Sequence, residues 1–251
     1  MINRAMPNDW RDLQNQVGLI LQECGLNCEI EKEIQTVRGA VNIDVYAEDT
    51  TNQPTTIYLC ECKYWQSAIP KTVIHAFRTV VSDFGANWGF IISSAGFQSG
   101  AFDAAANSNV RLLTWSEFQD LFENRWIEQY MMPHLQHVVE PLVDYTEPIN
   151  SRVFRKADEL DEQRQNRFSY LRGQYADLAF LALHHYLPIP LNMRSYPDLP
   201  LRKTTRTEKS NRTNLPDEVL DAECLRDFVD AICKHANEGL ASFDEVFGCR
   251  A

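Results

Sequence analysis

Trp10, Leu13, Val17, Ile20, Leu21 and Cys24 recur at helical spacing, which predicts a helix over residues 9–24, capped by Asn8 or Asp9 and ended by Gly25. The period then changes. Cys28, Ile30 and Ile34 alternate with Glu29, Glu31 and Glu33, the pattern of a half-exposed strand with an acidic outer face. After a glycine turn, Val41, Ile43, Val45 and Ala47 take one face of a second strand, and Asn42, Asp44 and Tyr46 the other. The loop DTTNQPTT leads into a third strand, TIYLCECKYW. Together these read as an antiparallel meander.

A second helix follows in IPKTVIHAFRTVVSDFGA, with Pro70 suited to the first turn, Gly85 to the C-cap, and a buried stripe of Val73, Ile74, Phe77, Val80, Val81 and Phe84. WGFIIS is a short apolar strand, residues 100–107 are helical, and VRLLTW is a further strand. SEFQ, residues 116–119, reads as a capping box opening a helix through Phe118, Leu121, Phe122 and Trp126. Strands bracketed by helices predict an α/β unit, a mixed sheet flanked by helices, over residues 1–132. Residues 133–251 differ in character and predict an all-helical C-terminal region whose role the sequence does not give. A long helical pattern spans residues 151–186 and carries Phe154, Leu160, Phe168, Leu171, Tyr175, Leu178 and Leu181. Proline-rich LPIPLNMRSYPDLPL breaks it, and polar, basic RKTTRTEKSNRTN reads as a loop. A last helix starts near Pro216 and carries Val219, Leu220, Leu225, Phe228, Val229 and Ile232. No internal repeat is evident.

A chain of 251 residues can bury one core plus a smaller appended unit. No apolar run approaches the ~20 residues that span a bilayer, and MINRAMPNDWRDLQ has no apolar signal region. The expectation is no membrane and a cytoplasmic location. Seven cysteines, an odd number scattered through the chain, read as reduced thiols, and none is paired with histidines in a zinc spacing. The net charge of −11 predicts little unspecific affinity for polyanions. A nucleic-acid enzyme of this charge needs a local basic surface and a carboxylate cluster that a metal neutralises.

The stretch YLCECKYW, residues 58–65, carries such a cluster. Glu61 and Lys63 interrupt a core strand two residues apart, so they stand side by side. Hairpin pairing can bring Asp44 from the polar face of the preceding strand beside them. Two carboxylates and the Cys62 backbone carbonyl are hard oxygen donors that suit Mg²⁺, with Mn²⁺ as a substitute. Such an ion can orient water and stabilise phosphorane-like charge, while Lys63 positions or deprotonates the water. The competing reading is a structural salt bridge between Glu61 and Lys63. An exposed pair contributes only about 0–1 kcal/mol, and a buried one often does no better than plain hydrophobes. Stability alone therefore gives little reason for the pair.

Asp44, the 17-residue interval and Glu61-Cys62-Lys63 resemble the PD-(D/E)xK nuclease superfamily. GAVNIDVYA and YLCECKYW resemble, more closely, the Mrr-type restriction endonuclease-like domains. GFIISSAGFQSGAFDAA is similar to that family's strand, Gly-Phe turn and Ala-rich helix, and VRLLTWSEF to its closing strand and helix. The resemblance covers residues 9–126. It implies a restriction-endonuclease-like fold and a Mg²⁺-dependent endonuclease that hydrolyses DNA phosphodiester bonds in prokaryotic restriction or anti-phage defence. Asp44, Glu61 and the Cys62 carbonyl would hold the ion, and Lys63 would position water. Many members place an acidic residue on the first helix; here that position is Gln14, which can hydrogen-bond water on a cation but binds the cation poorly. Ile43 stands where the superfamily's name has proline.

Trp65 and Gln66 follow the lysine directly, where Trp65 can stack on a base or pack on the next helix. Ser94, Phe97 and Gln98 lie in the loop after the apolar strand, where phosphate contacts and a simple turn are both open. His75 reads as a core or surface residue, His134 with His137 has no matching ligands, and His184 with His185, in an otherwise apolar helix, reads as packing. No nucleotide-binding glycine loop is present, so a motor or sensor would be a separate protein. Cutting both strands with one site per chain calls for two copies, and a homodimer is the expectation. Two other readings stay open: a catalytically silent nucleic-acid-binding or assembly module, and an RNA-directed nuclease.

Overall fold

The computed structural model describes residues 1–51, 53–187, 197–205 and 214–248. The chain forms two compact units, Met1–Tyr130 and Met131–Ala251. The first contains α1 (Trp10–Glu23), β1 (Asn27–Thr36), β2 (Gly39–Asp49), β3 (Thr56–Lys63), α2 (Lys71–Phe84), β4 (Trp88–Ser93), α3 (Ser99–Ala105), β5 (Val110–Thr114) and α4 (Trp115–Trp126). The five strands lie in the order β1-β2-β3-β4-β5. The hairpin junctions β1–β2 and β2–β3 are antiparallel, and β3–β4 and β4–β5 are parallel. Parallel neighbours need a crossover, which α2 and α3 supply. The mixed sheet flanked by helices is the fold that the periodicity predicts.

Helices cover both faces. On one, Gly18 of α1 sits so close to the sheet that a Cβ there would stand 3.1 Å from Ile30 Cδ1. The rings of Tyr58, Phe90 and Phe122 meet on the same face, with centroids 5.7–6.4 Å apart. On the other face Leu59, Ile74, Phe77, Val81 and Ile91 form the core with α2. Gly89 lets α2 approach, since a Cβ there would lie 2.6 Å from Val81 Cγ2.

The strict alternation expected in β2 fails at one place. Val45 faces Gly18 of α1, whereas Ile43 and Tyr46 both pack in the core on the α2 side. The facing slips between Ile43 and Val45, at Asp44. Opposite it, Glu31 has a φ of 54°, and the β1–β2 ladder omits the pair that Glu31 and Asp44 would make. Beyond this point Ile34 and Val41 also pack on the α2 side, and Arg38 Nε reaches Asp83 Oδ2 at 2.7 Å. The outer half of the hairpin therefore bends onto α2.

Other details also differ from expectation. Trp10 is exposed rather than core. The capping box on α4 uses Thr114 and Glu117 instead of Ser116 and Gln119, because β5 runs straight into the helix. A π-helical turn, Ile127–Met131, follows α4.

In the second unit α5 (Met132–Thr146) is a helix with Pro141 inside it. The long pattern over 151–186 divides into α6 (Ser151–Asp158) and α7 (Glu162–Tyr186), because Asp161 caps a new start by accepting from Arg164 N. The last helix likewise divides into α9 (Asp217–Leu220) and α10 (Leu225–Phe247), preceded by α8 (Leu201–Thr205) over the start of the basic stretch. The rest of that stretch, 206–213, and most of the proline-rich one, 188–196, lie outside the described residues. Tyr145 stacks on Phe243 at 4.6 Å, and Phe168 meets the same ring edge-on at 5.9 Å, joining α5, α7 and α10. Arg172 donates to the Tyr145 and Glu147 carbonyls, both at 3.1 Å, and lies over the Phe154 ring. It thereby satisfies carbonyls that the end of α5 leaves open. Among the described residues no helix is long and apolar enough to cross a membrane.

Asp49 and His185 each make stability depend on pH. Asp49 is buried at the end of β2, paired with Arg125 of α4, and accepts from Thr51 N at 3.1 Å. Chiefly the Arg125 hydrogen bond holds its carboxyl well below the usual range, so this stabilisation is full above pH ~4 and is lost as pH falls further. Urea unfolding should show Asp49→Asn costing about 3 kcal/mol at pH 7, with the difference from wild type shrinking below pH ~4. His185 lies against the Phe228 ring at 5.5 Å, and burial, with a smaller contribution from His184, lowers its pKa to about 4. The unfolded chain takes up that proton near pH ~6.5, so the folded state loses stability as pH drops from there towards 4. His185→Gln should remove this part of the acid sensitivity in thermal melts across that range.

Candidate active site

The pairing of β2 with β3 ends at Val45 opposite Cys60, and past it the strands part. The Asp44 carboxylate occupies the gap. Its Oδ2 accepts from the Cys62 backbone N–H at 2.7 Å, taking the place of the strand partner that β2 no longer offers. Its Oδ1 accepts from Gln14 Nε2 of α1 at 2.8 Å. Gln14 is only 5% exposed, which fixes the amide on the carboxylate. An extended residue directs its N–H and C=O at the same neighbouring strand, so the Cys62 carbonyl also faces the gap.

Glu61 and Lys63 stand together on the α2 face as an ion pair, their side chains 22% and 19% exposed. Burial raises the Glu61 carboxyl above the ordinary range; the charge of Asp44 raises it further, and Lys63 pulls it back. Burial and the Asp44 charge disfavour the ionised Glu61, and a bound cation would relieve it. Each carboxylate oxygen has two lone pairs, so Asp44 keeps acceptor capacity beside the bonds it makes. Among the described residues no three His, Cys, Asp or Glu side chains form a metal cage. The donor set is thus two carboxylates and one carbonyl, which fits Mg²⁺, an ion that keeps several waters. Burial pushes the Cys60 and Cys62 thiols up, so both act as protonated hydrophobes.

The structure brings Gln14, Asp44, Glu61, Cys62 and Lys63 together. Gln14 does so by holding Asp44. The loop residues divide. Ser94 N donates to the Lys63 carbonyl at 3.1 Å and its Oγ to the Trp65 carbonyl at 3.1 Å. Gln98 N donates to the Ile69 carbonyl at 3.0 Å and its Nε2 to that of Ala68 at 3.4 Å, while Phe97 packs on the core and on the Phe102 ring. These three fasten the loop after β4 to the loop after β3. Trp65 and Gln66 face outward. His75 is exposed on α2, His134 and His137 lie on α5, and His184 and His185 on α7. One neighbour of the site was read as core: Trp10, 48% exposed, stands one helical turn before Gln14 with the Arg11 guanidinium 5.1 Å from its ring centroid. Its spacing fits the apolar stripe, so only its exposure distinguishes it.

Residues 6–122, just under half of the chain, match the Mrr_cat family model, described as a restriction endonuclease. This bears out the resemblance carried by Asp44 and the Glu61-Cys62-Lys63 strand. Two solved structures are also similar. A crystal structure of AF1548, a protein of unknown function, shares 15% identity and a TM-score of 0.38 over 96% of this chain and 99% of that one. The DNA modification-dependent restriction endonuclease AspBHI shares 9% identity and a TM-score of 0.28 over 48% of this chain and 36% of that one. No curated protein matches.

A carboxylate in place of the Gln14 amide would meet Asp44 without a proton to share. Gln14→Glu should lower the melting temperature in EDTA and gain more than wild type from added Mg²⁺ or Mn²⁺, read by differential scanning fluorimetry. Equal metal-induced shifts would show that the position does not face the cation.

Proposed function

With residues 6–122 matching a restriction endonuclease domain, we propose that the chain is a divalent-metal-dependent endonuclease that hydrolyses DNA phosphodiester bonds. The observation that carries this reading is the gap between β2 and β3, where Asp44, braced by Gln14 and Cys62 N–H, stands with the Glu61–Lys63 pair. Asp44, Glu61 and the Cys62 carbonyl would hold Mg²⁺, with Mn²⁺ as a substitute. The ion would supply Lewis-acid stabilisation of charge on the phosphate. Lys63 orients the attacking water and offsets negative charge as the water oxygen bonds to phosphorus and the bond to the leaving oxygen breaks. Gln14 keeps Asp44 from rotating out of the gap.

The family resemblance supports DNA as substrate and a role in prokaryotic restriction or anti-phage defence, with a separate sensor or motor protein as partner. Double-strand cutting by one site per chain would require a homodimer. The helical region from residue 133 would serve recognition or recruitment.

The test is incubation of the purified protein with plasmid, linear duplex, single-stranded DNA and RNA in Mg²⁺, Mn²⁺ or EDTA. Cleavage of DNA should require the cation, and Lys63→Ala and Asp44→Asn should each lower it at least about 100-fold. Cleavage that survives both substitutions would refute the site. RNA cleaved in preference to DNA would change the substrate, and no cleavage with unchanged nucleic-acid binding would favour a silent binding module.

A further inference from the structure

Trp10 and Trp65 are two exposed tryptophans, 48% and 42% accessible, each a few residues along its own element from a residue of the proposed site. Trp10 lies four residues before Gln14 on α1, hence on the same helical face and about 5–6 Å from it between Cβ atoms, and Gln14 is bonded to Asp44. Trp65 leaves β3 two residues after Lys63, and its carbonyl is tied by Ser94 to the loop after β4. One tryptophan therefore rises from the helix on the Val45 face of the sheet. The other rises from the strand end whose Glu61 and Lys63 side chains lie on the α2 face.

Among the described residues neither ring stacks on a ring of another element, so both rings are open to a ligand. Arg11 extends over the Trp10 ring at 5.1 Å, which puts a cation beside an aromatic platform. In a chain of net charge −11, long-range attraction does little to hold a polyanion. Stacking on aromatic rings supplies affinity that does not depend on net charge or sequence, but it needs a base whose face is free. Bases in a duplex are already stacked on their neighbours and must be unstacked first.

We propose that Trp10, with Arg11, and Trp65 are walls that stack unpaired bases and lead a single strand of DNA across Asp44, Glu61 and Lys63, so that the site takes single-stranded or locally opened DNA in preference to intact duplex. This rests on the nuclease reading above and specifies its substrate.

The test uses the full chain in EDTA, so that no turnover occurs, with fluorescein-labelled 12-nucleotide oligo(dT) and a 12-base-pair hairpin duplex read by anisotropy. The single strand should bind at least about 10-fold more tightly. Trp10→Ala and Trp65→Ala should each weaken it about 5- to 100-fold, and Trp10→Phe should retain most of the affinity. Arg11→Ala should lower the salt dependence by about one phosphate contact, a slope change near ~0.7. Duplex binding as tight as single-strand binding, or alanine variants that bind like wild type, would overturn the proposal. Mg²⁺-dependent, Lys63-dependent cleavage by a chain whose binding ignores both tryptophans would leave the nuclease reading standing and remove only the walls. Single-strand binding that depends on Trp10 in a chain that cleaves nothing would keep the walls and remove the hydrolysis.

Discussion

The separation of β2 from β3 at Asp44 governs the first unit. A strand that stops pairing leaves backbone groups that must find other partners, and the Cys62 N–H finds the Asp44 carboxylate at 2.7 Å. The same residue marks the slip in side-chain facing that lets Ile43 join the α2 core while Val45 remains against α1. Glu31, directly across, takes a left-handed conformation that is uncommon for a side chain of its kind. Strain of this sort persists only where surrounding packing enforces it. Here the enforcing contacts are Ile34, Val41 and the Arg38–Asp83 pair, which hold the hairpin arm on α2.

The bend also explains why charge is tolerated inside a core strand. A regular β2 would put its next backbone pairing alongside Glu61 and Cys62 and leave no cavity between the strands. With the strands apart, Asp44 and Glu61 share a partly dry space, and burial with mutual repulsion raises the Glu61 carboxyl. Lys63 compensates in part. The pair is thus an unfavourable arrangement for stability alone, and under the proposed function a cation would offset it. Gln14 fits this balance: its amide gives Asp44 a hydrogen bond without adding a third negative charge.

Below the site, the loop after β3 and the loop after β4 act as one piece through Ser94, Gln98 and the Ile69–Phe97 bridge. Ser94, Phe97 and Gln98 fasten this rim, and the Trp65 carbonyl is tied into it by Ser94 while the Trp65 side chain stays exposed. The second unit is built differently. Tyr145 meets the Phe243 ring face-on and Phe168 meets it edge-on across three helices, and Arg172 closes the end of α5. None of that aromatic core could be assembled from periodicity, which locates apolar faces but not their partners.

The sequence by itself determined the order of elements in the first unit, the antiparallel meander, the crossover helix α2 and the Asp44, Glu61 and Lys63 set. Each of these is written in local spacing: period two against period three to four, and charges breaking an apolar run. The tertiary structure alone decided that β2 changes facing at Asp44, that Gln14 bonds the carboxylate rather than standing off it, that Trp10 is exposed despite fitting the apolar stripe, and that Thr114 rather than Ser116 caps α4. It also decided that the 151–186 pattern is broken at Asp161 and that Pro141 sits within a helix. The physical reason is common to these cases. Local pattern records which residues prefer water, whereas pairing, capping and exposure depend on which remote groups arrive to meet them.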